Sequence, residues 1–535
     1  MNKLLLLGDE AIAQAGIDAG ISGIYAYPGT PSTEITEYVA ASKEAKQKNI
    51  RVSWAVNEKT AMEAALGMSY AGKRAMVCMK HVGLNVAADA FINAAITGAN
   101  GGLLVVVADD PSMHSSQNEQ DSRFYGKFSM IPILEPSNQQ EAYDMVIYGF
   151  DLSEKFGIPV LMRITTRLAH SRAGVILNGK RAQNEMKIPA NPKQFILLPS
   201  IARKQYKRLL AQQEPFEEES LKSGFNKYID GPDKSLGIIA CGLAYNYLLE
   251  NYPDRHLPHP LLKISQYPLP VELIEKIYTA CDSILVLEDG FPMVEELLRG
   301  ILNKGKQIKG RLDGTVPRDG ELNPNIVAVA LGMKDVWGQP VPPVVVPRPP
   351  SLCKGCPHIY SYNALNEAIA EYGKGRVFSD IGCYTLGAFE PYDAINSCVD
   401  MGASITMAKG AADAGLTPAI AVIGDSTFTH SGLTGLLDAI IDKSNITVLI
   451  LDNATTAMTG GQPSAALGRI EDICAGLGVE KEHIRIINPS PKYHDENLAI
   501  MREEIAYEGV SVIIPRRECI VTATKRLKDK KKWGK

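Results

Sequence analysis

AIAVIGDSTFTHSG at 419–432 and TVLILDNATTAMTGGQ at 447–462 each run from a short apolar segment into polar residues. Such segments read as buried strands, and in an open parallel sheet ligands gather at the carboxyl ends of strands. Asp425 at the first end offers a charge, while Asn453 and the Thr455 carbonyl at the second offer neutral oxygens, a set suited to one hard cation holding a diphosphate. Gly424 admits a ligand close to the backbone, Ser426 follows the aspartate, and Thr459 to Gln462, with Gly460, reads as a wrapping loop. A Gly-Asp turn after a strand is common in α/β chains; the asparagine at the second strand end is what singles this one out.

Outward from there, Val/Ile/Leu-rich runs alternate with alanine-rich helical patterns over most of the chain, which assigns the α/β class with parallel sheets and crossover helices. Strands are expected at 23–27, 52–56, 75–79, 103–108, 160–164, 236–241, 283–287, 376–379, 419–423, 447–451 and 510–514, and helices at 58–70, 85–95 and 294–300. Residues 176–234, rich in Lys, Gln, Glu and Pro, read as a connecting segment. PVPPVVVPRPP at 340–350 reads as a linker, because proline lacks the donor that a helix or central strand needs. The expected units are therefore 1–175, 235–338 and 352–521, joined by the segments 176–234 and 339–351 and followed by a solvated basic tail at 522–535.

Composition narrows the function classes. The 535 residues are enough for several cores, with 22% charged and 45% apolar residues. A net charge of −4 argues against a nucleic-acid partner, and the basic tail lacks interleaved aromatics apart from Trp533. The leading Met1 to Leu7 run is too short for a signal peptide, and no run reaches the roughly 18 apolar residues of a membrane span. Nine cysteines, several inside apolar runs (Cys78, Cys241, Cys281), suit a reducing, cytoplasmic setting.

Gly424-Asp425 with the 452–455 strand end resembles the thiamine diphosphate and Mg²⁺ motif of transketolase-like enzymes, although Ser426 replaces a glycine and Asp452 stands where asparagine is frequent. That cofactor requires a carboxylate against its aminopyrimidine. Glu58, after the apolar Val52 to Val56 and at the start of a helix, is the candidate; a lone glutamate there otherwise serves only the helix dipole. Thr30, with Pro31 next, is expected to cap a helix whose free N–H groups also suit an anionic substrate. Cys353 and Cys356 form one CxxC, with Cys383 and Cys519 further on. Lacking a second CxxC, the set fits an iron–sulfur cluster better than zinc, while Cys398 and Cys474 read as inert core thiols.

YPGTPSTE at 27–34, NEKTAMEAALG at 57–67, MKHVGLNVAADA at 79–90, ADDPSMHSSQNEQDSR at 108–123, LCKGCPH at 352–358, DIGCYTLG at 380–387 and GDSTFTHSG at 424–432 together closely resemble the alpha subunit of indolepyruvate ferredoxin oxidoreductase. The resemblance spans nearly the whole chain. It implies a multidomain transketolase-like fold, with a pyrimidine-binding domain, a transketolase C-terminal-like domain and a diphosphate-binding domain in that order. It implies oxidative decarboxylation of aryl 2-oxoacids with coenzyme A, electrons passing to ferredoxin, and a beta subunit in an alpha2beta2 assembly. Carried over by position, Glu58 becomes the activating carboxylate, Asp425, Asn453 and Thr455 the Mg²⁺ ligands, and Thr30 a substrate-side contact. Arg123, His81 and His430 are weaker substrate candidates, and Cys353, Cys356 and Cys383 look like ligands of a [4Fe–4S] cluster, with Cys519 the fourth by position alone. Family members commonly continue into a ferredoxin-like tail of repeated cysteine motifs that is not found before Lys535, so electrons are expected to leave through the single cluster, a partner subunit or a separate ferredoxin. Two rival readings share the same residues: a non-oxidative thiamine decarboxylase, which has no use for the cysteines, and a catalytically weak scaffold, which has no use for Glu58 and Asp425.

Overall fold

The computed structural model describes residues 3–533 except 192, 255, 303, 334–340, 347–350 and 399, so 339–340 and 347–350 of the expected linker at 339–351 lie outside the described residues. The chain divides into two units, Met1–Pro340 and Val341–Lys535.

In the first unit the run Leu103–Asp109 is buried along its whole length, as a strand covered by helices on both faces must be. It lies inside a seven-stranded sheet of order Gln266–Tyr267, Ile133–Leu134, Val160–Thr165, Leu103–Asp109, Ala75–Lys80, Gly23–Ala26, Arg51–Trp54. All neighbours run parallel except the edge strand Gln266–Tyr267. A five-stranded sheet, Gln307–Lys309, Ser283–Leu287, Leu236–Cys241, Leu261–Ile264, Lys227–Ile229, stands beside it in sequence; its last strand is antiparallel. The chain leaves this sheet at Ile264 and, after Ser265, adds Gln266–Tyr267 to the edge of the other.

The two sheets are also joined by charge. Arg163 donates to Asp109 Oδ2 at 2.6 Å, to Glu135 and to the Asp289 carbonyl at 2.8 Å. Arg123 donates to Asp121 Oδ1 at 2.9 Å, to Glu288 Oε2 at 3.0 Å and to the Phe291 carbonyl at 2.9 Å. All these side chains are buried. Burial raises the Asp121 carboxyl, but the Arg123 and Arg163 charges outweigh it and hold the group at about 2. Breaking such a network costs more than forming it gains, because the remaining partner is stranded in a low dielectric. Arg163→Met, which leaves Asp109 and Glu135 without that guanidinium, is expected to destabilise the first unit by about 3–5 kcal/mol, read as a lowered urea midpoint.

The second unit holds a six-stranded parallel sheet of order Ser397–Cys398, Val377–Ser379, Ile420–Gly424, Ile446–Leu451, Val510–Pro515, Ile484–Ile487. Its central strands are apolar and buried, and Gly424 pairs with Leu451, so the two quoted strand ends finish level with one another.

Three expectations change. Residues 176–234 carry the helices Pro199–Ala211 and Gln213–Lys222, whose few apolar anchors, Leu209 and Phe216 among them, are buried against the first unit's core. The basic tail, exposed as expected over 524–528, is helical rather than irregular: Ile520–Trp533 form a helix, for which their Ala, Leu, Lys and Arg content has high propensity. Cys474 is buried as expected, but Cys398, on the short edge strand Ser397–Cys398, is exposed.

Candidate functional site

Asp425 opens a helix directly after strand Ile420–Gly424 and is buried. Its Oδ2 receives no hydrogen bond, and burial, with the neighbouring Asp452 charge, pushes the carboxyl up to about 7. A buried carboxylate oxygen in this state calls for a compensating group, and a cation would offset both the burial and the Asp452 charge. Asp452 itself is occupied: Arg516 Nε donates to its Oδ2 at 2.6 Å, and Arg516 also pairs with Glu471 at 2.6 Å. The unusual residue at this strand end is thus a structural anchor. Asn453 Oδ1 accepts from the Thr455 N–H at 3.1 Å, and Thr455 Oγ1 donates to the Gln462 carbonyl at 3.0 Å, which folds the 452–462 loop back on itself. Ser426 Oγ meets Thr456 Oγ1 at 2.8 Å, so the serine in the glycine position ties the two strand ends together. His430 is buried in the wide helical turn Phe428–Gly432 beyond Asp425, with Nδ1 facing the Ser431 hydroxyl.

Cys353, Cys356, Cys383 and Cys519 line one cavity of about 290 Å³, together with His358, Asn453, Gly460 and Gly461. The CxxC turn brings the Cys356 N–H to the Cys353 carbonyl at 2.9 Å through Gly355, whose φ of 79° suits glycine. Cys519 is delivered by the last strand, its N–H donating to the Asn453 carbonyl at 3.1 Å. Burial, and then the charges of Cys353 and Cys519, push the Cys356 thiol up to about 11. For Cys383, burial and then the charges of Cys356, Cys519 and Cys353 give about 12. Thiols that raise one another in this way need a cationic centre to become ligands. Among the described residues, no three of them come within 4.8 Å of one another, whereas a single zinc with Zn–S of about 2.3 Å draws its thiolates to roughly 3.8 Å. The thiols are thus spread wider than a single bound zinc would hold them. His358, a residue the sequence did not single out, closes the floor: it is buried, its Nε2 lies 3.3 Å from Asn453 Nδ2, and burial takes the imidazole down to about 4.

In the first unit Asn57 Oδ1 accepts from the Thr60 N–H at 2.9 Å and caps helix Glu58–Tyr70, which places Glu58 at its first position, buried. The carboxylate rests on Gly83 in the first turn of helix His81–Thr97; a Cβ there would lie 2.5 Å from Glu58 Oε1 and 2.7 Å from Cγ. Gly83→Ala is therefore expected to displace Glu58 and slow turnover about 10–100-fold with little change in folding, since a misplacement near 1 Å has that order of effect; steady-state kinetics beside a thermal melt would check it.

Strand-end loops surround this glutamate. Lys80 Nζ donates to the Ser115 carbonyl at 3.1 Å, its stem lies over Gly29, and Ser115 Oγ donates to the Thr30 carbonyl at 3.4 Å. Burial lowers the Lys80 ammonium, with Asp110 and Glu58 acting in the opposite direction. His81 Nε2 lies 3.1 Å from the Asn118 carbonyl. Asp110 organises the 110–118 loop, accepting from the Ser115 N–H at 2.8 Å, Ser116 Oγ at 2.7 Å and Thr166 Oγ1 at 2.6 Å. Lys80 and Asp110 were not anticipated; the polar residue closing AMVCMK and the Asp-to-Ser spacing in DDPSMHSS were the available signals.

Two expectations are corrected. Thr30 is not a helix cap: the Thr30–Pro31 peptide is cis, and the helix opens at Thr33 after Ser32. Arg123 is not available to a substrate carboxylate, because it is fully buried and committed to Asp121, Glu288 and Phe291. Among the described residues no helix is long and apolar enough to cross a membrane.

Comparison with known proteins places these residues in a wider setting. Residues 14–213, which contain Glu58, match the family described as pyruvate flavodoxin/ferredoxin oxidoreductase, thiamine diP-binding. Residues 380–480, which contain Asp425, Asn453 and Thr455, match the C-terminal TPP binding domain of thiamine pyrophosphate enzymes. The indolepyruvate oxidoreductase subunit IorA of Archaeoglobus fulgidus is 41% identical over 97% of this chain and 87% of its own length. The subunits of the same name from Pyrococcus abyssi and Methanothermobacter marburgensis are 39% and 38% identical, each over 97% of this chain and over 86% and 87% of their own lengths.

Proposed function

The chain belongs to the family of indolepyruvate oxidoreductase IorA subunits, and on that premise we propose that it is the thiamine diphosphate-carrying subunit of an enzyme that oxidises aryl 2-oxoacids such as indolepyruvate and phenylpyruvate. With coenzyme A the products are an arylacetyl-CoA, CO₂ and two electrons delivered to ferredoxin. Bound thiamine diphosphate supplies the carbon nucleophile and electron sink that this decarboxylation needs.

The residues of this chain fit that role. Asp425 through its unpartnered Oδ2, Asn453 through Oδ1 and Thr455 through its carbonyl would hold Mg²⁺, and the ion would offset both the burial of Asp425 and its repulsion from Asp452. Gly424, Ser426 and Gly460 would border the diphosphate. Glu58 would hold the proton exchanged with the aminopyrimidine, its carboxylate kept in place by the missing Cβ of Gly83. Lys80, beside Glu58 and the Thr30 loop, offers positive charge for the 2-oxoacid carboxylate, whereas His81 is buried with Nε2 held at the Asn118 carbonyl. Cys353, Cys356, Cys383 and Cys519 would hold a [4Fe–4S] cluster that accepts electrons singly. A beta subunit in an alpha2beta2 assembly, and a cytoplasmic setting in keeping with the free state of all nine cysteines, complete the reading.

The observation that carries the oxidative reaction is the cavity shared by the four thiols, for which a non-oxidative decarboxylase has no use. The test is methyl viologen reduction by anaerobically purified protein, co-expressed with its beta subunit, on indolepyruvate with and without thiamine diphosphate and coenzyme A. Reduction that needs both is expected; aldehyde release with no electron acceptor would overturn the reading.

A further inference from the structure

Three side chains outside this site converge where the first, second and eighth helices of the first unit meet. Asp9 lies in the first turn of helix Gly8–Asp18, Glu34 in the first turn of Thr33–Ala41, and His170 ends Thr166–His170. Each offers one ligand atom, and these atoms all lie within 4.8 Å of one another; Glu34 Oε1 and His170 Nε2 are 3.6 Å apart.

Asp9 is the informative member. Its exposure is 0%, and neither carboxylate oxygen receives a hydrogen bond; Glu34 Oε2 is likewise buried without a donor. A carboxyl group taken wholly out of water demands a compensating partner, and the polar side chains its oxygens meet here are a second carboxylate and an imidazole. Burial first, and then the Glu34 charge, raise Asp9, whereas His170 draws Glu34 down. A cation at this point would meet one oxygen of each carboxylate and the imidazole together.

We propose that Asp9, Glu34 and His170 bind one first-row divalent cation that accepts mixed oxygen and nitrogen ligands, Zn²⁺ or Mn²⁺. One imidazole nitrogen and two carboxylate oxygens are an ordinary ligand set for such ions, and their two negative charges balance the metal's. An entry path exists: the Glu34 and His170 side chains are 38% and 36% exposed, and His170 borders an open cavity of about 400 Å³ lined also by His114, Thr166, Arg167 and Glu321, with room for water ligands. Occupancy would reach the strand-end loops on both sides. Glu34 follows the Thr30 loop within one turn, and Thr166, on the same short helix as His170, holds Asp110 and through it Ser115. The ion would act as a clamp on the loops that border Glu58, and it takes no part in the chemistry proposed above.

The test is a Mn²⁺ titration of the EDTA-treated full chain, without thiamine diphosphate, followed by electron paramagnetic resonance. Mn²⁺ favours oxygen and nitrogen over thiolate, which keeps the four cysteines silent. One bound Mn²⁺ is expected, displaced by Zn²⁺, weakened at least tenfold in Asp9→Asn and in His170→Gln, and retained in Asp425→Asn. Circular dichroism verifies that each protein is folded, and Glu34→Gln substitutes for Asp9→Asn if the latter does not fold. Absence of any bound Mn²⁺ or Zn²⁺ in the folded wild type would overturn the proposal in favour of a proton shared between Asp9 and Glu34, and so would binding that both variants leave intact.

Discussion

Glu58→Gln is expected to leave the protein folded and to slow turnover by about 10²–10⁴-fold, the range a positioned proton-transfer group contributes. The amide is isosteric, so it keeps the place over Gly83, and the Asn57 cap that starts the helix is untouched. What is lost is the capacity to carry a proton at that point. The deficit should lie in kcat, measured as viologen reduction under saturating indolepyruvate and coenzyme A, with thiamine diphosphate binding within a few-fold of wild type. Near-normal kcat would remove Glu58 from the reaction.

The second large effect is expected at the thiols. Cys356→Ser should abolish the visible iron–sulfur absorption of anaerobically purified protein, and with it ferredoxin and viologen reduction, while thiamine diphosphate still binds. Serine fits the same turn, since the Cys356 N–H bond to the Cys353 carbonyl is made by the backbone. It replaces a polarisable thiolate with a poor iron ligand. Cys474→Ser, in a buried position outside the cavity, is the control and should leave the spectrum unaltered. An unchanged spectrum in Cys356→Ser would end the cluster assignment.

Much of this was legible in the chain because it is local. Leu236–Cys241, Ser283–Leu287 and Glu58–Tyr70 fall at the residues expected, since each is an unbroken apolar run or a helical pattern with a capping asparagine before it. Two-residue strands such as Ile133–Leu134, Gln266–Tyr267 and Ser397–Cys398 are too short to carry any periodicity. They exist only because a neighbouring edge is open. Arg123 was misread for a related reason: in sequence it is a lone arginine in a polar loop, and the Glu288 and Phe291 that bury it come from a distant stretch. The CxxC marked two of the four thiols, but the arrival of Cys519 beside them depends on where strand Val510–Pro515 ends next to Asn453, which no spacing rule encodes. Cys398 shows the converse, a thiol expected in the core and exposed in the fold.

The crossing at Ile264 to Tyr267 has a bearing on how the protein is made. As the chain emerges, the first 175 residues can assemble their inner parallel strands, but Ile133–Leu134 remains an open edge until Gln266–Tyr267 arrives to cover it. Arg123 meanwhile waits for Glu288 and Phe291. A nascent domain in that condition presents unpaired backbone at an edge, the feature that invites strand addition from another chain, and an arginine that holds Asp121 but still lacks its later acceptors. Synthesis beyond residue 291 is thus part of the folding reaction of the amino-terminal sheet, and a fragment cut at 175, however natural the boundary looks in sequence, inherits a sticky edge rather than a finished domain.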